Sequence, residues 1–367
     1  MENPKLSAWQ MFNLLFMYII GTSFILLPGS LIADAKQYGW MIGVWSFVYG
    51  IALAGFWLYL SSRFPGLSIV QIAVQVLGKW AGGLVSLLYI LFFIQIASWV
   101  TRNLSDFMHI NLMPKTPLSV FNILILFVCA YAVIKGIESI AMVSEFLAPF
   151  VILVFWLSFG VMVQEWDWQN FRFPYTFRPI ETFIHTRYAL AFPYMEVVSF
   201  MMLFPFSTRR LKLSVFSGIA FSGILFSLSV FFTIGILGVE RSSHLIYPIF
   251  IIFREMEFTN FAEHLESIFS VNTLLIVCIK LSILFYCAVL GICQLFQLKE
   301  RAVVAFPLIW IISAYSLLFE SIVDNVDWIQ KYLFQYYLHY AVAFPALLIV
   351  CSWFRKKKPS QGREPSA

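Results

Sequence analysis

The sequence predicts an all-α polytopic membrane protein of ten transmembrane helices, built as two inverted halves. Three observations lead there. The 367 residues are 61% hydrophobic and only 12% charged, against roughly a quarter charged in ordinary soluble domains. The apolar residues fall into ten runs, each long enough to cross a bilayer as a helix of ~20 residues. Two of those runs, five apart in order, carry helix-breaking residues near their middle.

The runs are 9–33, 40–61, 82–108, 118–135, 139–163, 184–206, 213–238, 266–296, 302–319 and 334–354. They form one transmembrane domain, 1–354, with repeat one at about 9–163 and repeat two at about 184–354. A basic tail, 355–367, follows and reads as disordered. An even number of crossings puts both termini on one side. Loops on that side carry Arg209, Arg210, Lys212, Lys299 and Arg301, and the tail adds Arg355 to Lys358. The opposite loops hold most of the acids, among them Glu165, Asp167, Glu240 and Glu255. Both termini are therefore placed in the cytoplasm. The polar leader before Trp9 shows no cleavage site and reads as retained. The net charge of +5 is then an orientation signal and not a footprint for nucleic acid.

The sixth run contains Phe192-Pro193-Tyr194-Met195-Glu196. Pro193 lacks an N–H and clashes with the preceding turn, which breaks or kinks a helix. Glu196 follows three residues on, and a carboxylate in hydrocarbon must face a cavity or a partner. It can also cap the freed N–H groups of the next half-helix. The first run repeats the theme with Gly21-Thr22-Ser23, then Pro28-Gly29. Glycine weakens the helix and the hydroxyls can satisfy freed backbone groups; close helix packing explains small residues there as well. Corresponding interruptions in two halves point to a midplane binding site in an inverted-repeat fold. Five crossings that begin inside oblige the next five to run the opposite way.

Other polar residues are fewer. Gln95, Trp99 and Arg102 share a stripe of the third run with Phe92; an interhelical hydrogen bond and a ligand contact both suit Gln95. Lys280 lies near the middle of the eighth run, ~15–20 Å from either end at 1.5 Å per residue, too deep to snorkel. Glu196 is its nearest partner in depth. The loop 164–183, rich in aromatic residues, Arg and Pro, reads as an interfacial lid or partner surface. The segment 247–261 reads as an amphipathic hairpin or short helices.

With these residues in place the chain resembles the spore germination permease family, and within it the B subunits of endospore germinant receptors. The residues that carry the resemblance are Phe192 to Glu196, then Met202-Leu203-Phe204-Pro205-Phe206 with the basic loop after it, together with Glu266 and Lys280. The resemblance covers nearly the whole chain. It implies a fold similar to amino acid–polyamine–organocation transporters, with a LeuT-like 5+5 inverted repeat and broken helices 1 and 6. It implies a nutrient sensor in the spore inner membrane, a small germinant such as an amino acid, and two partners: an A subunit and a C-subunit lipoprotein.

No catalytic constellation is present: no phosphate-binding glycine loop, no paired histidines, no Ser–His–Asp set at one depth. The five cysteines lie in apolar runs without metal-ligand spacing. An enzyme, a metal and a cofactor are not expected. Two classes of function stand beside each other, a germinant-binding receptor subunit and a proton-coupled amino-acid permease. Both place a small molecule between spans 1, 3, 6 and 8, against Gly21, Thr22, Ser23, Gln95, Phe192, Pro193, Tyr194, Glu196 and Lys280. In either, the ligand carboxylate takes N–H groups at the half-helix start near Gly21–Ser23. Its amino group takes carbonyls freed near Phe192–Tyr194.

Overall fold

Helix caps and prolines divide the chain. α1 (Ala8–Ile20) opens on a capping box: Ser7 Oγ accepts from Gln10 N at 3.1 Å, and Gln10 Oε1 accepts from Ser7 N at 3.0 Å. It stops at Gly21, and α2 (Ser23–Ala35) resumes beyond Thr22. α3 (Gly39–Arg63) follows. A second capping box, Ser68 with Gln71, starts α4 (Ile69–Leu77), a short helix outside the ten predicted runs. Then come α5 (Lys79–Asn111), α6 (Leu118–Lys135) and α7 (Ile137–Met162), with α8 (Pro179–Ile184) and α9 (Arg187–Ala189) leading into the second interruption. The remainder is α10 (Leu211–Ser242), α11 (Pro248–Glu255), α12 (Leu265–Phe296), α13 (Ala302–Ser316), α14 (Ile322–Leu338) and α15 (Phe344–Phe354).

This computed structural model describes residues 4–172, 179–255, 265–319 and 321–354. The predicted basic tail, 355–367, lies outside the described residues, as do 173–178 and 256–261 of the two predicted outer segments. Seven helical segments among the described residues are long and apolar enough to cross a membrane, and α1 and α13 are apolar but shorter. α12 is the most deeply buried segment, packed against α1, α5, α6 and α7, while α10 packs on α1 and α3. No strand is present among the described residues; one isolated bridge pairs Leu6 with Ser207, and Leu6 N donates to Phe206 O at 2.8 Å.

After α9 the backbone leaves α-geometry. Leu190–Tyr194 is wound as a π-helix, and Phe192 within it is extended (φ −120°, ψ 114°). Met195–Met202 then continues as a 3₁₀-helix, far longer than the usual 3–4 residues of that geometry. Pro193 is the local cause, because it removes a donor and fixes φ.

The last apolar segment differs from the hydropathy reading. Its helix begins at Ile322, twelve residues before the predicted run, because Ser321 caps it: Ser321 Oγ accepts from Asp324 N at 3.1 Å. The first turns of α14 are amphipathic, so apolar length alone missed them. Between α14 and α15 the chain is π-wound over His339–Ala343, and Phe344 N donates to His339 O. That shift frees Tyr340 O, and Pro345 has no N–H to offer Ala341 O. Both carbonyls are held from neighbouring helices, Tyr340 O by Tyr89 Oη at 2.8 Å and Ala341 O by Trp57 Nε1 at 2.7 Å.

The predicted lid segment folds back on α10. Trp166 packs on Phe171, Phe231 and Phe232. Asn170 Nδ2 donates to Gly235 O at 2.9 Å. Gly238 carries a φ of +72° here, breaking α10 near its end. Arg102 of the predicted stripe serves structure. It pairs with Asp106 at 2.8 Å and donates to Phe319 O at 2.6 Å and Ser316 O at 3.3 Å, binding carbonyls at and just past the end of α13.

Candidate binding site

The two interruptions and α12 meet around one ion pair. Lys280 Nζ lies 2.7 Å from Glu196 Oε2, and the side chains are 0% and 3% exposed. Taking two charges out of water costs several kcal/mol per ion, on the order of 5, and only close geometry with further polar partners offsets it. Those partners are present. Tyr337 Oη of α14 donates to Glu196 Oε1 at 3.0 Å, and Lys280 Nζ lies 3.4 Å from Thr22 Oγ1. The ammonium also sits 4.7 Å from the ring centroid of Phe192 and 5.0 Å from that of Tyr18, where the ring quadrupole attracts a cation. Tyr18 Oη donates to Glu196 O at 3.1 Å and accepts from Ser199 Oγ at 3.1 Å.

Gly21 makes this approach possible. A Cβ at that position would stand 2.6 Å from Lys280 Cδ. The first interruption therefore presents bare backbone to the stem of a lysine.

Beside the pair lies a cavity of about 200 Å³. Its walls include Trp99 and Asn103 of α5, Ser30 of α2, Tyr188, Phe192, and Gln330 and Tyr337 of α14, with Glu196 reaching it from the ion pair. Glu196 is 2% exposed and marks the buried end. His244, 79% exposed, marks the open end. Asn103 Oδ1 accepts from Asn325 Nδ2 at 3.0 Å, which fixes its amide.

Of the residues assigned to the ligand site from the sequence, Phe192 and Glu196 line this cavity, and so do Trp99 of the third-run stripe and Gly29 of the first run. Lys280 stands behind Glu196, with Gly21 and Thr22 against it. Ser23 Oγ donates to Ile19 O and Ile20 O, satisfying carbonyls at the end of α1. Gln95 accepts from Tyr336 Oη and is not on the cavity wall. Pro193 is buried at the break. Tyr194 turns the other way and packs on Gly50 of α3. The sequence reading did not single out Tyr337, Tyr188, Asn103 or Gln330. The available signal was Pro345 in the tenth apolar run, which marks a helix with freed carbonyls and draws attention to the aromatic residues before it.

A chain whose described residues are helical, with several helices apolar and long enough to cross a membrane, is a polytopic membrane protein, and its interrupted helices give it a transporter-like fold. Solved structures share the fold. Mhp1, a nucleobase-cation-symport-1 family transporter in a closed conformation with bromovinylhydantoin bound, aligns with a TM-score of 0.66 at 11% identity, over 95% of this chain and 78% of its own. MhsT in complex with L-phenylalanine aligns with a TM-score of 0.65 at 13% identity, over 96% and 99%. The chain belongs to the spore germination permease family: the family model described as "Spore germination protein" matches residues 5–324. Among its relatives in Bacillus subtilis (strain 168), spore germination protein KB is 26% identical, covering 99% of both chains. Spore germination protein YndE is 23% identical, over 96% of this chain and 98% of its own.

Proposed function

We propose that this protein is the germinant-sensing subunit of a spore germination receptor, and that a small molecule such as an amino acid occupies the cavity beside Glu196. The observation that carries this reading is the position of the cavity: it abuts the ion pair that joins both helix interruptions to α12 and α14. A ligand contacting Glu196 or Tyr337 there acts on four elements at once, which is how differential binding shifts a conformational equilibrium. MhsT, which shares the fold, was solved with L-phenylalanine, in keeping with an amino acid as the ligand.

In this reading the chain crosses the membrane ten times. α1 with α2 forms the first crossing, the interrupted segment from Arg187 the sixth, and α14 with α15 the tenth, in a 5+5 inverted repeat. Both termini are cytoplasmic in the spore inner membrane. The A subunit and the C-subunit lipoprotein are its partners, and it catalyses no reaction. The likeness in fold to symporters favours one alternative, a proton-coupled amino-acid permease, in which the pair at Glu196 and Lys280 handles the coupling proton.

Filling the cavity tests the site. Ser30→Trp should abolish the germination response of spores that depend on this receptor, at normal membrane abundance, while Ser30→Ala keeps it. A normal response in Ser30→Trp would remove the cavity from the mechanism. Flux of labelled amino acid in proteoliposomes separates sensing from transport: uptake driven by a proton gradient supports the permease reading, and no uptake with retained ligand binding supports the sensor.

A further inference from the structure

We infer that the cavity selects a ligand of zero net charge. This rests on the cavity being the ligand site and adds the class of molecule it takes. Among the described residues lining the cavity there is no Lys, Arg or Asp. The single carboxylate is Glu196, and Lys280, 2.7 Å behind it, already balances its charge. The pair carries no net charge whether the shared proton resides on Nζ or on an Oε atom. His244 lines the open end, where it is 79% exposed and 3.9 Å from Glu240 Oε1, so solvent and that carboxylate screen it from the buried end.

A bound cation would therefore bring an uncompensated charge to the buried end, and so would a bound anion. What the walls offer is hydrogen bonding and ring surface. Asn103 and Gln330 among the lining residues carry amides, Ser30 a hydroxyl, and Trp99, Tyr188 and Phe192 rings. A zwitterion or an uncharged polar molecule satisfies such a lining without disturbing the ion pair. A free amine or a free acid competes with Lys280 for Glu196, or with Glu196 for Lys280, and leaves one of them unpaired.

The test uses the full-length protein in lipid nanodiscs and reads thermal stabilisation by a panel of neutral amino acids, each compared with its cationic methyl ester and its anionic N-acetyl derivative, together with uncharged amides and polyols. Wild type should be stabilised by net-neutral compounds only, the charged derivatives of a binder being weaker by on the order of 100-fold. Lys280→Met should shift preference toward the methyl esters and Glu196→Gln toward the N-acetyl derivatives. These opposite shifts separate charge from size. If either variant fails to accumulate, the comparison within wild type still decides. Charged derivatives that bind wild type as tightly as their neutral parents overturn the charge rule and leave the site standing. Stabilisation by neutral compounds that persists in Ser30→Trp, or none from any compound, overturns the site and the inference with it.

Discussion

Lys280 and Glu196 meet at 2.7 Å in the interior of the protein, with neither side chain accessible beyond 3%. They come from elements far apart in the chain, the middle of α12 and the first turn after Pro193. Removing one partner leaves the other charged and buried, at a cost of ~3–5 kcal/mol, whereas removing both can be nearly neutral. Glu196→Gln and Lys280→Met should each lower membrane abundance sharply, and the double variant should recover much of it. Quantitative immunoblots of the four proteins show whether the losses are additive. Additive losses would show that the two side chains do not depend on one another.

Gly21 and Lys280 supply the second prediction. With a Cβ at 21 only 2.6 Å from Lys280 Cδ, Gly21→Ala must push the stem of the lysine aside. Overpacking of this kind costs roughly 1–3 kcal/mol. The expected result is a lower thermal midpoint in wild type. In the Glu196→Gln/Lys280→Ala background, where the stem is gone, the same substitution should cost much less. An equal cost in both backgrounds would mean that Gly21 is needed for its own backbone conformation.

The parts of this arrangement that were legible in the sequence are those that violate a simple rule of apolar helices. Pro193, Glu196 and Lys280 stand out because a missing donor or a charge is costly in hydrocarbon. Gly21 to Ser23 stand out as a cluster of small and hydroxyl residues in an otherwise bulky run. Tyr337 violates nothing: a tyrosine among aromatic neighbours is ordinary until its hydroxyl is seen on a carboxylate. Tyr194 adjoins the break in sequence, but the break turns its ring toward Gly50, and side-chain direction through irregular backbone does not follow a helical period. The start of α14 was hidden by its own polarity, because a hydropathy reading discards Asp324, Asn325 and Gln330 as loop.

Tyr337 leads to a prediction about function. Tyr337→Phe keeps the ring against Phe92, whose centroid is 5.2 Å away, and deletes only the donor to Glu196 Oε1. A hydrogen bond to a charged group contributes about 1.5–3 kcal/mol. Under the proposed role, the germinant concentration for half-maximal response should rise about tenfold or more, with membrane abundance close to wild type. A normal dose response would show that ligand and Tyr337 do not communicate.

The bulge between α14 and α15 gives a prediction about stability that is independent of any ligand. Trp57 Nε1 donates to Ala341 O at 2.7 Å, a carbonyl that Pro345 cannot serve. Trp57 is 0% exposed, so Trp57→Phe leaves a buried acceptor unpaired at a cost of about 1–3 kcal/mol, in addition to lost packing. Pro345→Ala restores an N–H four residues beyond Ala341. In that background Trp57→Phe should lose only its packing contribution, because the helix can close its own bond. Thermal midpoints of the four proteins measure the difference. If Trp57→Phe costs the same with and without the proline, Ala341 O does not depend on the indole, and the link between α3 and the α14–α15 segment is packing alone.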